Sequence, residues 1–225
     1  MLRAVIFDFD GVIADSEMTH FAAFNKALEP YHLKISRQQY FKEYLGLTDR
    51  DLISTLAKEG ILNAGQKQID SLAAEKERIF EELARTAPII DGVSEFMDLL
   101  EQNGIDIAIC SGALLAEIEL MLDKSKLRRY FQSIVSAEHV AKGKPAPDGF
   151  LLALEKLNTG KNPPIKASQC VAIEDSHWGL EAAKAAGMHT VAVTNSYSAD
   201  ELKPADKIVD MLTDLTIKDL NQICI

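Results

Sequence analysis

Short apolar runs alternate with longer amphipathic stretches through most of the chain. The apolar runs predict buried strands, and stretches with apolar residues at helical spacing predict helices between them. The predicted strands are residues 4–9, 106–111, 133–137, 170–175, 190–194 and a weaker 207–211. The predicted helices are about 92–103, 113–123, 147–158, 177–186 and 216–222. This alternation predicts an α/β fold, a Rossmann-like parallel sheet with helices on both faces.

One long region interrupts the alternation. From about Asp15 to Pro88 there is no strand-like run, and the pattern is helical. The predicted helices there are about 17–29, 36–44, 49–59 and 64–84. An all-helical block after the first strand is best interpreted as a second domain. We therefore expect a core of residues 1–14 and 88–225 and a helical domain of residues 15–87, with linkers at Ala14–Glu17 and Ala84–Ile89.

The composition narrows the possible partners. With 24 Lys and Arg against 34 Asp and Glu, the net charge is −10, which argues against nucleic acid or an anionic membrane as partner. There is no signal-peptide pattern and no apolar run of membrane-spanning length. Cys110 and Cys170 lie in strand-like runs, and with Cys224 they show no metal-ligand spacing. We therefore expect reduced cysteines and a cytoplasmic protein.

Polar side chains follow several predicted strands. Asp8 and Asp10 follow the first strand, Ser111 the second and Glu174-Asp175 the fourth, while a Lys-rich loop, 141–150, comes after the third. Ligands of open parallel sheets bind beyond the carboxyl ends of the strands. We therefore expect these groups at one edge of the sheet, although Glu174-Asp175 or Ser111 could instead simply cap the helices that follow.

Converging carboxylates repel one another, so we expect a cation between them. Oxygen ligands with access to water suit Mg²⁺, and a metal, a lysine, a hydroxyl and helix N-termini together suit a phosphoryl group. No Gly-rich nucleotide-binding loop is present. A pair of aspartates at i and i+2 can supply both a nucleophile that forms an aspartyl-phosphate and a neighbour that transfers protons.

Four motifs occur in order: "DFDGVIADSE", "CSGA", "KGKPAPD" and "IEDSHWGLEAAKAAGM". With them the chain strongly resembles, over essentially its whole length, the haloacid dehalogenase superfamily of phosphotransferases. Within it the chain is similar to the β-phosphoglucomutase and phosphoglycolate-phosphatase-like group. The helical insert resembles the first type of cap domain in that superfamily.

The resemblance implies a role for each carboxylate. Asp8 would be the nucleophile and a Mg²⁺ ligand. Asp10 would be the general acid and base, and would give its backbone carbonyl to the metal. Asp175 would be a third metal ligand, and Glu174 would hold metal-bound water.

The resemblance also implies a phosphate-binding set. Ser111 would bind the phosphate with help from the N–H groups of Gly112 and Ala113. Lys144 would bridge Asp8 and the phosphoryl oxygens. Lys142 is the alternative, but the Pro-Ala-Pro after Lys144 stiffens the chain there and favours Lys144.

In the cap, the resemblance suggests four substrate-binding residues. Gly46 and Arg50 lie in "GLTDRD", a loop that faces the substrate in similar caps, and Lys76 matches a lysine that reaches the phosphate site. His20 lies on the first cap helix and could equally be a structural or hinge residue. Arg50 could instead pair with acidic neighbours, and Lys76 could lie on a solvated helix face.

The leading hypothesis is a monomeric, Mg²⁺-dependent phosphatase of a small phosphorylated metabolite, such as a sugar phosphate. A phosphosugar mutase is the alternative. The "DSE" at 15–17 resembles the phosphatases, and Ser16 and Phe24 depart from the mutase pattern, whereas His20 and Arg50 fit it. A signalling receiver module is disfavoured, because receivers carry the acceptor aspartate on a middle strand of a short domain without a cap.

Overall fold

Within the described residues, 1–44, 47–84 and 88–224, the computed structural model has one six-stranded sheet. Its strands are β1 (Ala4–Phe7), β2 (Asp106–Cys110), β3 (Ser133–Val135), β4 (Cys170–Glu174), β5 (His189–Val193) and β6 (Lys207–Val209). The strand order is β3-β2-β1-β4-β5-β6, and each neighbouring pair is parallel. The predicted α/β class with a parallel sheet is confirmed.

The central position of β1 explains its apolar sequence. Each of its residues, Ala4–Phe7, is fully buried, and Ile6 lies opposite Ala108 of β2 and Ala172 of β4. A strand that is covered on both faces reads as a continuous apolar run. The first polar side chain after this run, that of Asp8, is therefore delivered to the carboxyl edge of the sheet.

Helices occupy the positions that the apolar spacing predicts, within a few residues. They are α1 (Ser16–Leu28), α2 (Arg37–Gln39), α3 (Asp49–Lys58), α4 (Gln66–Ala84), α5 (Val93–Gln102), α6 (Leu115–Ser125), α7 (Asp148–Leu157), α8 (His177–Ala185) and α9 (Ile217–Ile223). The segment predicted as one helix over 36–44 is instead the short α2 followed by a π-helical turn, Tyr40–Tyr44.

The chain forms two compact units, one of Met1–Asp15 with Pro88–Ile225 and the other of Ser16–Ala87. In the first unit α7 packs on β2 and β3 through Phe150, Ala153 and Leu157, which are spaced so that they share one helix face. In the second unit α4 packs against α1 and α3. The assignment of these units to a catalytic core and a cap stays a prediction.

The segments that leave and re-enter the first unit are paired with each other. Ala14 and Ile89 form an antiparallel bridge, and the Asp15 N–H donates to the Pro88 carbonyl at 3.1 Å. The predicted first linker, 14–17, is shorter than expected, because α1 already begins at Ser16. Residues 85–87 of the predicted second linker lie outside the described residues.

All three cysteines are buried and unpaired within the described chain. None of the helices in that part of the chain combines the length and the hydrophobicity needed to cross a bilayer.

Candidate active site

Three carboxylates meet where β1 and β4 end. Asp8 directly follows β1, and its N–H continues the strand pairing by donating to the Ile173 carbonyl at 2.9 Å. Glu174 ends β4, and Asp175 follows it. One carboxylate oxygen from each of Asp8, Glu174 and Asp175 lies within 4.8 Å of the other two, and all three residues are buried. The edge of the sheet therefore holds a dense cluster of acidic groups.

Lys144 is the cation inside this cluster. Its ammonium donates to Asp8 Oδ1 and to Glu174 Oε1, each at 2.5 Å. Burial disfavours the charged ammonium, but the carboxylates of Asp8 and Glu174 outweigh this effect and raise the pKa of Lys144 well above its ordinary value. Lys142, the alternative in the same loop, is exposed. The structure thus brings Lys144 to the carboxylates.

The carboxylate of Glu174 is held by the start of α8. Ser176 caps this helix by accepting from the Gly179 N–H at 3.1 Å, and its hydroxyl donates to Glu174 Oε2 at 3.0 Å. Ser176 is therefore the N-cap, and the interpretation of Asp175 as a cap alone does not fit. A Cβ atom on Gly179 would lie 1.9 Å from Glu174 Cδ, so the carboxylate occupies space that only glycine leaves open.

The charge balance of the cluster favours a cation. Burial, followed by the neighbouring Asp8 and Glu174, raises the pKa of Asp175 well above its usual range. Burial and Asp8 likewise raise the pKa of Glu174, although Lys144 opposes this rise. Three carboxylates lie beside one ammonium. The atoms that these carboxylates offer to a metal are hard oxygen atoms. This donor set fits a divalent cation with oxygen ligands.

The loop after β2 brings a hydroxyl to Asp10. Ser111 Oγ lies 3.4 Å from Asp10 Oδ2, to which it donates, and accepts from the Ala113 N–H at 2.9 Å. Helix α6 begins only at Leu115, so Ser111 is not its N-cap. Gly112 is exposed and Ala113 is half-buried. Phosphate binding by this loop stays a prediction.

In the helical unit, Lys76 is almost completely buried. Its ammonium donates to Asp49 Oδ1 at 2.7 Å and to His20 Nδ1 at 2.6 Å, and lies 4.8 Å and 5.0 Å from the ring centres of Phe24 and Phe80. The solvated-face alternative for Lys76 is therefore wrong. Burial, and then the Lys76 charge, lower the pKa of His20 well below its ordinary value.

The other two residues predicted for the cap are placed differently. Arg50 is exposed and pairs with Asp70 at 3.1 Å. Gly46 lies outside the described residues. Substrate contacts by Arg50, Gly46, Lys76 and His20 stay predictions.

Sequence reasoning missed two residues that follow β5. Asn195 Nδ2 donates to the Gly11 carbonyl at 2.7 Å, and the Ser196 hydroxyl donates to Asp175 Oδ2. The sequence pattern could have indicated them, because Asn195 and Ser196 come just after an apolar strand, as Asp8 and Asp175 do. The strand-end rule that selected those aspartates applies equally here.

The family model described as haloacid dehalogenase-like hydrolase matches residues 5–193. This range contains the acidic cluster, Lys144 and Ser111. The chain belongs to the haloacid dehalogenase-like hydrolase family. The resemblance carried by the four motifs is thereby confirmed, as is the expectation that the chain is an enzyme.

Curated relatives in this family include named phosphatases and a mutase. The "Phosphorylated carbohydrates phosphatase" of Thermotoga maritima is 31% identical over 84% of this chain and 84% of its own length. The "Beta-phosphoglucomutase" of Bacillus subtilis is 28% identical over 98% of this chain and 95% of its own length.

A solved structure shares the fold over nearly the whole chain. The crystal structure of CbbY from Rhodobacter sphaeroides in complex with phosphate has a TM-score of 0.82, at 24% identity. The match covers 98% of this chain and 100% of that one. At this level of identity the likeness supports the fold alone.

Gly179→Ala should disturb the acidic cluster of this hydrolase. The added Cβ would collide with the Glu174 carboxylate, so that carboxylate must leave Lys144 and Ser176 or the helix must shift. We expect a loss of about 1–3 kcal/mol in the free energy of unfolding, measured by urea denaturation. Gly65→Ala is the matched control, because its Cβ would approach only Gln68 Oε1, at 3.9 Å. Equal stability of both variants would contradict the packing argument.

The buried His20 should make the protein less stable in acid. His20 in the unfolded chain takes up a proton below about pH 6.5, whereas burial disfavours protonation in the fold. The stability that neutral His20 contributes is therefore present above this pH and is lost as the pH falls. From pH 6.5 to 5.5 the wild type should lose about 1 kcal/mol more than His20→Gln. Urea denaturation at the two pH values measures this, and parallel losses would exclude a neutral buried His20.

Proposed function

We propose that this hydrolase is a Mg²⁺-dependent phosphatase of a small phosphorylated carbohydrate, with an aspartyl-phosphate formed on Asp8. The observation that carries the proposal is the cluster of three buried carboxylates around the Lys144 ammonium at the carboxyl edge of β1 and β4. The name of the Thermotoga maritima relative supports the substrate class.

Asp8 and Asp175 would hold the metal, together with the backbone carbonyl of Asp10, and Glu174 would hold metal-bound water. Bound Mg²⁺ would neutralise phosphoryl oxygens in a site that otherwise repels an anion. These residues lie at or just after the carboxyl ends of the adjacent strands β1 and β4. The sheet pairing therefore fixes the ligands with respect to one another.

Asp8 is the proposed nucleophile. A carboxylate oxygen of Asp8 forms a bond to phosphorus while the ester bond from phosphorus to the sugar oxygen breaks. The covalent intermediate divides one difficult substitution into two easier ones. The Lys144 ammonium, held against Asp8 Oδ1, would offset the negative charge that the transferring phosphoryl group carries.

Asp10 is the proposed proton-transfer residue. In the first step its carboxylic acid gives a proton to the departing sugar oxygen. In the second step its carboxylate takes a proton from the water that attacks phosphorus, which releases inorganic phosphate and restores Asp8. Asp10 is half-buried, so it has access to water, and its Oδ2 accepts from Ser111.

A β-phosphoglucomutase-like activity is the second candidate, and the Bacillus subtilis relative favours it. A mutase must hold a second phosphate of a sugar bisphosphate while the first reacts. Both cations that the sequence predicts for the cap already pair with carboxylates, Lys76 with Asp49 and Arg50 with Asp70. This pairing supports the phosphatase.

The oligomeric state, the location and the partners of the enzyme belong to the same proposal. We expect a monomer in the cytoplasm that uses neither nucleic acid nor a membrane as partner.

Phosphate release tests the proposal directly. The purified enzyme should release inorganic phosphate from hexose and pentose phosphates when Mg²⁺ is present and stop when a chelator is added. Asp8→Asn should lower kcat more than a hundredfold, about 2.7 kcal/mol in barrier height, because an amide does not attack phosphorus. Asp200→Asn, at an exposed position, is the control and should behave as wild type.

The same assay separates the two candidate functions. Conversion of β-glucose 1-phosphate into glucose 6-phosphate, dependent on added glucose 1,6-bisphosphate and without release of phosphate, would favour the mutase. Wild-type activity in Asp8→Asn or in excess chelator would refute the mechanism.

Asp10→Asn should separate proton transfer from attack. Sugar alkoxides are poor leaving groups that need a proton, whereas p-nitrophenolate leaves almost unaided. We therefore expect the variant to lose far more activity on a sugar phosphate than on p-nitrophenyl phosphate in single-turnover measurements of the first step. Equal losses on both substrates would exclude Asp10 as the general acid.

A further inference from the structure

Two adjacent residues after β5 contact the loops that follow β1 and β4. In the sheet, β5 is the neighbour of β4, with Ala192 opposite Glu174. The chain continues from β5 toward the same edge of the sheet. There Asn195 donates to the Gly11 carbonyl and Ser196 donates to Asp175 Oδ2. This short segment thus bonds both to the turn after Asp10 and to a proposed metal ligand.

The contact between these loops is close. Gly11 has a φ of 73°, in the left-handed region that favours glycine. A Cβ atom at Gly11 would lie 1.9 Å from Asp175 Oδ2 and 2.8 Å from Ser196 Oγ. One oxygen of Asp175 is therefore enclosed by the Ser196 hydroxyl and the Gly11 backbone. Rotation of the carboxylate would break the hydrogen bond and press against Gly11.

We propose that Ser196 is a positioning residue that fixes the Asp175 carboxylate so that Oδ1 is presented to the metal, and that Asn195 anchors this segment to Gly11. The inference rests on the proposed metal-dependent function. Carboxylates that bind metals are themselves commonly held by hydrogen bonds, and removal of such a partner typically costs 10–100-fold in metal affinity or activity. Ser196 supplies that bond from the segment after β5, which provides no ligand itself.

We expect Ser196 and Asn195 to affect the metal affinity to different extents. Ser196 bonds directly to the proposed metal ligand Asp175, so removal of its hydroxyl should weaken metal binding. Asn195 acts only through one hydrogen bond to the Gly11 backbone. Removal of its side chain should therefore weaken metal binding less, by about two- to tenfold.

Titration of chelator-stripped protein with Mg²⁺ in a calorimeter tests the proposal without turnover. Ser196→Ala should bind Mg²⁺ about 10–100-fold more weakly than the wild type. Ser196→Thr keeps the hydroxyl and should restore most of the affinity. Ser198→Ala is the matched control, because the Ser198 hydroxyl bonds to the exposed Glu201 instead, and it should bind Mg²⁺ as the wild type does.

Activity adds a second readout. Ser196→Ala should need more Mg²⁺ for half-maximal activity but recover much of its kcat when Mg²⁺ is saturating, a split that general loss of structure would not produce. Unchanged Mg²⁺ affinity in Ser196→Ala, or a Thr variant as impaired as the Ala variant, would overturn the positioning role. If Ser196→Ala does not fold, the Asn195→Ala titration decides, and unchanged Mg²⁺ affinity in that variant would overturn the proposal.

The outcomes separate this inference from the proposed function. A wild type that releases phosphate with Mg²⁺, beside a Ser196→Ala variant with normal affinity, would refute the positioning role alone. Mg²⁺ binding that depends on Ser196 without any phosphate release would support the positioning role and refute the phosphatase. A wild type that binds no Mg²⁺ would refute both.

Discussion

The ion pairs of Lys144 with Asp8 and Glu174 hold three distant parts of the chain at one point. Each ion loses water when it is buried, at a cost of several kcal/mol that only close opposite charge and good hydrogen bonds offset. The ends of β1 and β4 and the loop before α7 must therefore be placed together. The apolar strands make this possible, because their pairing with each other sets the position of both carboxylates before any ligand binds.

The same cluster shows a conflict between stability and function. Lys144 compensates only part of the acidic charge, and Asp175 is buried beside like charges. A fold selected for stability alone would avoid this arrangement, and such perturbed groups are typical of functional sites. Small residues accommodate it, since Gly11 and Gly179 leave room for the carboxylates of Asp175 and Glu174.

Sequence patterns predicted the strands and the acidic edge well, because buried parallel strands read as apolar runs and their ends converge. Lys76 was harder, since its neighbours in sequence are densely charged. It nevertheless lies on the helix stripe of Leu72, Ile79 and Phe80, which are all buried, and helical spacing could have indicated this. Its partner Asp49 could not be predicted, because that pairing depends on how α3 packs against α4.

The bridge between Ala14 and Ile89 has a consequence for how such enzymes diversify. The helical insertion starts and ends at neighbouring points that the bridge between Ala14 and Ile89 joins, and the strands of the described sheet all lie outside it. The entropy cost of closing a loop rises only slowly with its length. Modules of different size can therefore be exchanged at this junction during evolution, or by recombination in the laboratory, while the register of β1 stays intact.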